Sequence, residues 1–164
     1  MADLRAKAYG LAALVFALDR ASKWVIESHV SFADTYRVIP GFFDIIHSEN
    51  RGVAFGLLND STFAWRDTLL IAATAIAVVA ITILLWKPER MDRMTYWGFA
   101  LVLGGAAGNL ADRVFWGRVT DFLLFYIRQY QWPAFNIADS AIVVGSGMLI
   151  LSLVMPGRRA AHVS

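Results

Sequence analysis

Four apolar stretches of membrane-crossing length constrain this chain more than any other feature. Two of them, Thr68–Trp86 and Thr95–Ala111, contain no charged residue. A helix needs about 20 mainly apolar residues to cross the hydrocarbon core. Lipid offers no partner to an unpaired backbone group, so such stretches are read as helices. With their flanks included, the pattern predicts spans at about 9–27, 68–86, 95–114 and 139–156. The first is interrupted by Asp19, Arg20 and Lys23 where a cleaved leader would place small residues, so it reads as a retained helix whose outer half faces other helices. The chain is 58% hydrophobic and 17% charged, with a mean hydropathy of +0.53, which leaves too little polar surface for a soluble domain. The expected fold class is an all-α integral membrane protein with four transmembrane helices, a single domain over 1–164, and a small extracytoplasmic β element on the membrane surface.

Basic residues in the connections give the orientation. Arg5 and Lys7, then Lys87, Arg90 and Arg93, then Arg158 and Arg159 crowd three short segments. Arg37, Arg51, Arg66, Arg118 and Arg128 are spread over two much longer connections, about 28–66 and 115–137. Both termini are therefore expected in the cytoplasm and the long connections outside. Within the first of these, Val38-Ile39-Pro40-Gly41-Phe42-Phe43-Asp44-Ile45-Ile46 combines β-branched and aromatic residues with a Pro-Gly turn signal, which predicts short strands.

Composition also excludes several chemistries. The net charge of +2 comes from scattered basic residues and gives no nucleic-acid footprint. With no cysteine there is no thiol nucleophile, disulfide or Cys-based zinc site. His29, His47 and His162 fit no metallopeptidase spacing, so neither a metal nor a cofactor is expected. A small transporter is the rival class for a multi-span chain with acids in its helices. Against it, the charges gather near one face instead of the midplane, and no inverted repeat is visible.

Asp121 and Asp139 flank the mouths of two consecutive spans. Two carboxyls at close range cannot both ionise, so one is forced to hold a proton while the other acts as base. That combination can activate water against an amide. Asp112 is a rival for Asp121; beside Arg113 it also reads as part of a charged pair ending a helix. Asp139 also reads as an N-cap of the fourth helix, a place Ser140 could take as well. A Ser22–Lys23 dyad is disfavoured because adjacent residues on a helix point about 100° apart. Gly104 and Gly108 satisfy the small-xxx-small pattern of close helix packing, with room for a substrate helix as the alternative.

Five motif blocks stand in order: Asp19-x-x-Ser22-Lys23, Asn50-x-Gly52-x-Ala54-Phe55-Gly56, Gly104-Gly105-x-x-Gly108-Asn109-x-x-Asp112-Arg113, Val119-x-Asp121-Phe122 and Phe135-Asn136-x-Ala138-Asp139. Together they closely resemble the lipoprotein signal peptidase (signal peptidase II) family over about 19–140. The resemblance implies an aspartic endopeptidase of the bacterial inner membrane, sensitive to globomycin, that cuts prolipoproteins just before a diacylglyceryl-modified cysteine. It implies Asp121 and Asp139 as the catalytic pair. Asn50, Gly52, Phe55, Asn109, Asp112, Arg113, Asn136, Asp19 and Lys23 fall at supporting or substrate-lining positions, with the first long connection as a cover over the groove. The implied partners are lipid-modified prolipoproteins and membrane lipids, with the protein a monomer. Departures are small: Arg20 and Ala21 stand where Gln is common, Val53 replaces a usual Ala and Thr120 a usual Val.

Overall fold

The computed structural model describes residues 2–51, 64–87 and 91–155. Four helices and four strands follow in the order α1 (Ala2–His29), β1 (Thr35–Ile39), β2 (Phe43–Asn50), α2 (Ala64–Leu85), α3 (Arg93–Trp116), β3 (Val119–Ile127), β4 (Tyr130–Gln131) and α4 (Ile137–Val154). The strands form one antiparallel sheet in sequence order.

Helix α3 is the centre of the bundle, packed on α1, α2 and α4. Its glycines explain how. A Cβ at Gly104 would lie 2.6 Å from the Ala12 carbonyl oxygen of α1, and one at Gly105 would lie 2.3 Å from the Ala138 carbonyl of α4. Gly98 and Gly145 face each other, each within 2.9 Å of the other's carbonyl oxygen if a Cβ were added. The glycine run is therefore used for helix packing, since only bare backbones can approach this closely. Away from the sheet, Ala8, Ala12, Ile81, Leu85, Tyr96, Ala100 and Leu103 form the core, and Tyr96 donates its hydroxyl to the Leu85 carbonyl at 3.0 Å.

Outside that core the helices expose large apolar side chains, among them Ile76, Val79 and Ile83 on α2 and Val143, Val144 and Leu153 on α4. Two segments, Asp67–Leu85 and Ile137–Val154, are long and apolar enough to cross a membrane, with mean hydropathies of 2.7 and 2.0. Helices α1 and α3 are also long; α1 carries charged residues along its length and α3 carries them near its two ends, at Arg93, Asp112 and Arg113.

The β element is larger than an all-α reading allows. The sequence reading left 115–137 as a connection, whereas Val119–Ile127 is a nine-residue strand at the middle of the sheet. Gly117 supplies the left-handed residue (φ 67°) that stops α3, with its N–H bonded back to the Arg113 carbonyl at 3.1 Å. The chain then enters β3 directly, and this turn brings Asp121 back onto the end of the bundle.

Candidate active site

Residues of β2, β3, α1, α3 and α4 meet at that end. In the β2–β3 ladder Ser48 lies opposite Asp121 and Asn50 opposite Val119, beyond an irregularity between Ile45 and Ser48. Asn50 is thus two residues along from the partner of Asp121 and on the same face. Its Nδ2 donates to Asp121 Oδ2 at 3.1 Å. The other oxygen, Oδ1, accepts from Asn136 Nδ2 at 2.7 Å.

Asn136, not Asp139, is the N-cap of α4, which corrects the simple capping reading of Asp139 and Ser140. Asp139 is instead the third helical residue of a capping box: its N–H donates to Asn136 Oδ1 at 2.9 Å, and its Oδ2 accepts from the Asn136 N–H at 3.3 Å. Because Asn136 Oδ1 is held by a backbone donor, its NH2 group must turn to Asp121. One capping residue thereby ties both aspartates together.

Asn109, directly after the last glycine of α3, completes the pairing. Its Nδ2 donates to Asp139 Oδ1 at 2.7 Å. Its Oδ1 accepts from Lys23 Nζ at 3.0 Å and from Asn136 Nδ2 at 3.3 Å. An ammonium group can only donate, so Lys23 fixes the amide with its oxygen inward and its NH2 toward Asp139.

Behind these amides lies a closed ionic cluster. Lys23 is fully buried and donates to Asp19 Oδ2 at 2.7 Å and to Asp112 Oδ2 at 2.6 Å. Asp19 in turn accepts from the Ala138 N–H at 2.9 Å, satisfying the first turn of α4 from α1. Gly108 makes room for this carboxylate, since a Cβ there would lie 2.6 Å from Asp19 Oδ2. Asp112 is 1% exposed and its second oxygen accepts from Arg20. The partners of Asp112 are therefore Lys23 and Arg20 of α1. The expected Asp112–Arg113 pair is not what ends the helix, because neighbours on a helix diverge. Arg113 turns back to the Asn109 carbonyl at 3.2 Å and lines a small cavity with Arg51, Asp67 and Gly117.

Asp121 is 3% exposed. Burial, followed by the negative charge of Asp139, pushes its carboxyl up to about 6, opposed by the Asn50 and Asn136 hydrogen bonds and by the Lys23 charge. It opens on a cleft of about 410 Å3 lined also by Ser48, Glu49, Asn50, Arg51, Pro133 and Ala134. Gly52 and Phe55, two further positions of the sequence motif, lie outside the described residues. Ser22 donates to the Asp19 carbonyl at 2.9 Å, and Lys23 is taken up by three other acceptors, so the two form no dyad. His29 and His47 each contact a backbone carbonyl, of Val25 and Val30. Among the described residues no cluster of His, Asp and Glu has metal-binding geometry. Arg20, Glu27 and Thr120 belong to the site's surroundings; the sequence marks Arg20 and Thr120 only as departures from the family motif and gives no signal for Glu27 beyond its i, i+7 spacing from Arg20.

A chain built this way has the fold of a bacterial membrane enzyme. It superposes with a TM-score of 0.80 on a bacterial membrane enzyme solved by the in meso method at 2.3 Å, at 28% identity, covering 96% of this chain and 93% of that one. A second such structure, at 1.9 Å, gives 0.79 at 30% identity, covering 92% and 94%. Residues 11–155 match the model of the signal peptidase (SPase) II family, and the chain belongs to that family of aspartic peptidases. It is 61% identical to the lipoprotein signal peptidase of Solibacter usitatus over the whole length of both chains. To that of Nitratidesulfovibrio vulgaris it is 42% identical, over 88% of this chain and 87% of the relative. The family removes signal peptides from prolipoproteins.

Proposed function

We propose that Asp121 and Asp139 are the catalytic pair of this peptidase and that the substrate is a prolipoprotein already carrying a diacylglyceryl group on the cysteine after the cut. The observation that carries this reading is the Asn136 bridge. Two carboxyls are joined through one capping residue, with amides and, among the described residues, no direct cation on either, and one of them is raised to about 6 beside an open cleft.

Asp121 is the acid that holds the proton and Asp139 the base. Asp139 takes a proton from water as the water oxygen attacks the scissile carbonyl carbon. The Asp121 proton passes to the carbonyl oxygen, giving a neutral tetrahedral species. On collapse, Asp139 delivers its proton to the departing amine nitrogen, and Asp121 recovers its own from the hydroxyl as the C–N bond breaks. Neither a metal nor a cofactor takes part. Asn109 and Asn136 hold the carboxyls, and their N–H groups are committed to that task instead of to an oxyanion.

Four spans fit the packing. Three charges of α1 and α3, Asp19, Lys23 and Asp112, are turned inward and at most 1% exposed, while Leu14, Leu18 and Trp24 of α1 and Val114 and Phe115 of α3 face outward. The N-terminus of α1 lies beside the end of α2, with Arg5 over the Trp86 ring at 5.3 Å, so the basic-rich ends gather opposite the sheet. The termini are then cytoplasmic, the site faces outward from the inner membrane, and the enzyme works as a monomer among membrane lipids. Acyl chains left in the bilayer would hold the scissile bond at the surface; each buried methylene contributes about 0.8 kcal/mol. Purified enzyme should cleave diacylglyceryl-modified precursor much faster than unmodified precursor, with no loss to a chelator. Equal rates on the two, or loss to a chelator reversed by zinc, overturn this reading.

A further inference from the structure

Strand β3 has a second side. Successive residues of a strand point to opposite faces, so Thr120 turns away from the face on which Asp121 meets Asn50. It lines a separate cavity of about 250 Å3 whose walls include Glu27, Glu49, Asp112 and Trp116. There its hydroxyl donates to Glu27 Oε1 at 2.7 Å. The other oxygen of Glu27 lies 3.7 Å from the Arg20 guanidinium, two helical turns earlier on α1. Arg20 has little freedom of its own: Asp112 holds one nitrogen, and its guanidinium lies 4.4 Å over the Trp116 ring. A continuous polar path therefore runs from the end of α3 through Arg20 and Glu27 to the residue preceding Asp121.

From the other side, Asn136 Nδ2 reaches the Thr120 carbonyl at 3.4 Å as well as Asp121 Oδ1 at 2.7 Å. Residue 120 is thus held on both faces of the strand. We propose that Arg20, Glu27 and Thr120 are positioning residues for peptide cleavage: they strap the start of β3 to α1 and so keep Asp121 in register with Asn136 and Asp139. This rests on Asp121 being the catalytic acid. Two of the three, Arg20 and Thr120, are positions where the chain departs from its family's usual motif, and the structure joins them through Glu27. Valine has the shape of threonine without the hydroxyl, so a valine at 120 keeps the packing and cannot make the strap.

The test is steady-state cleavage of lipid-modified precursor by Thr120→Val, Thr120→Ser, Glu27→Met and the Thr120→Val/Glu27→Met double variant. Thermal melting in the same detergent serves as the check on folding. A misplacement of catalytic groups well short of 1 Å should lower kcat of Thr120→Val roughly three- to tenfold with KM nearly unchanged. Thr120→Ser should keep the parental kcat. Glu27→Met should match Thr120→Val, and the double variant should be no slower than either single, because both remove one interaction. The proposal is overturned if Thr120→Val keeps its kcat, if the loss falls on KM, if Thr120→Ser is as slow as Thr120→Val, or if the single losses multiply. An active Asp121→Asn variant would instead remove the catalytic reading while leaving the measured coupling of Thr120 and Glu27 intact.

Discussion

Two groups of aspartates sit within one helix-bundle end, and their surroundings differ. Asp19 and Asp112 are matched by Lys23 and Arg20, inside the packing of α1 against α3. Among the described residues, Asp121 and Asp139 are held by amides alone, from Asn50, Asn109 and Asn136, at the edge of a cleft. The first pair meets cations, which fix carboxylates in place by charge; the second meets neutral amide donors beside an open cleft. The partners therefore distinguish the two groups, since all four acids sit in or against the packed end of the bundle. The two groups are not independent: Lys23 sets the polarity of the Asn109 amide, and Asp19 caps the helix that carries Asp139.

The contrast is broken most severely by exchanging outcomes between the groups. Asp121→Asn or Asp139→Asn should cut kcat/KM by at least roughly 10³-fold while the purified protein melts no lower than the parent, because Asn keeps the shape but cannot shuttle a proton. If either variant keeps a tenth of parental activity with lipid-modified precursor, that residue leaves the catalytic role. Lys23→Met should act on the other quantity. It strands Asp19 and removes one of the two cations on Asp112, costing about 3–5 kcal/mol of stability, read as a fall in folded yield and melting temperature. Activity per folded molecule should fall far less than in the dyad variants. A smaller effect is expected at Asn50, where loss of one hydrogen bond to a carboxylate in Asn50→Ala should slow kcat about tenfold.

The smallest effect sharpens the comparison by its sign. The carboxyl of Asp121 is raised above its ordinary value of 3.8 to about 6. Its protonated form is therefore favoured by folding, so its contribution to stability is complete below its ordinary value and is lost as pH rises through about 6. Relative to the parent, Asp121→Asn should gain stability between pH 4 and pH 7 and show no further gain above that. Melting curves across this range would contradict the assignment if the difference were flat or reversed.

Much of this was legible in the chain. The apolar runs located α2, α3 and α4 to within a few residues but placed the start of α1 at about 9 where the helix begins at Ala2, and the Asn-x-x-Asp and Gly-rich blocks pointed to the residues now found together. What the chain did not disclose was partnership across sequence distance. Lys23 and Asp112 are 89 residues apart and Thr120 and Glu27 are 93 apart, and no local spacing encodes such pairs. Strand β3 was hidden for a different reason. Phe122-Leu123-Leu124-Phe125-Tyr126-Ile127 is a continuous apolar run with no alternation, so periodicity could not separate it from loop or buried helix. The alternative reading of Asp139 as a simple cap follows from the preference for Asp there; the capping box begins instead at Asn136, whose side chain accepts from one backbone N–H and still donates to Asp121.

Burial, and after it the negative charge of Asp139, holds the Asp121 carboxyl above its ordinary range. The most direct measurement is a carboxyl ¹³C titration of Asp121 by NMR, in protein labelled at aspartate, with Asp121→Asn used to assign the signal. An apparent titration near pH 6 is expected in the parent and a lower one in Asp139→Asn, where the neighbouring charge is gone and burial keeps the carboxyl above the ordinary range. Titration in the ordinary carboxylate range, or a midpoint that does not move when Asp139 is replaced, would contradict it.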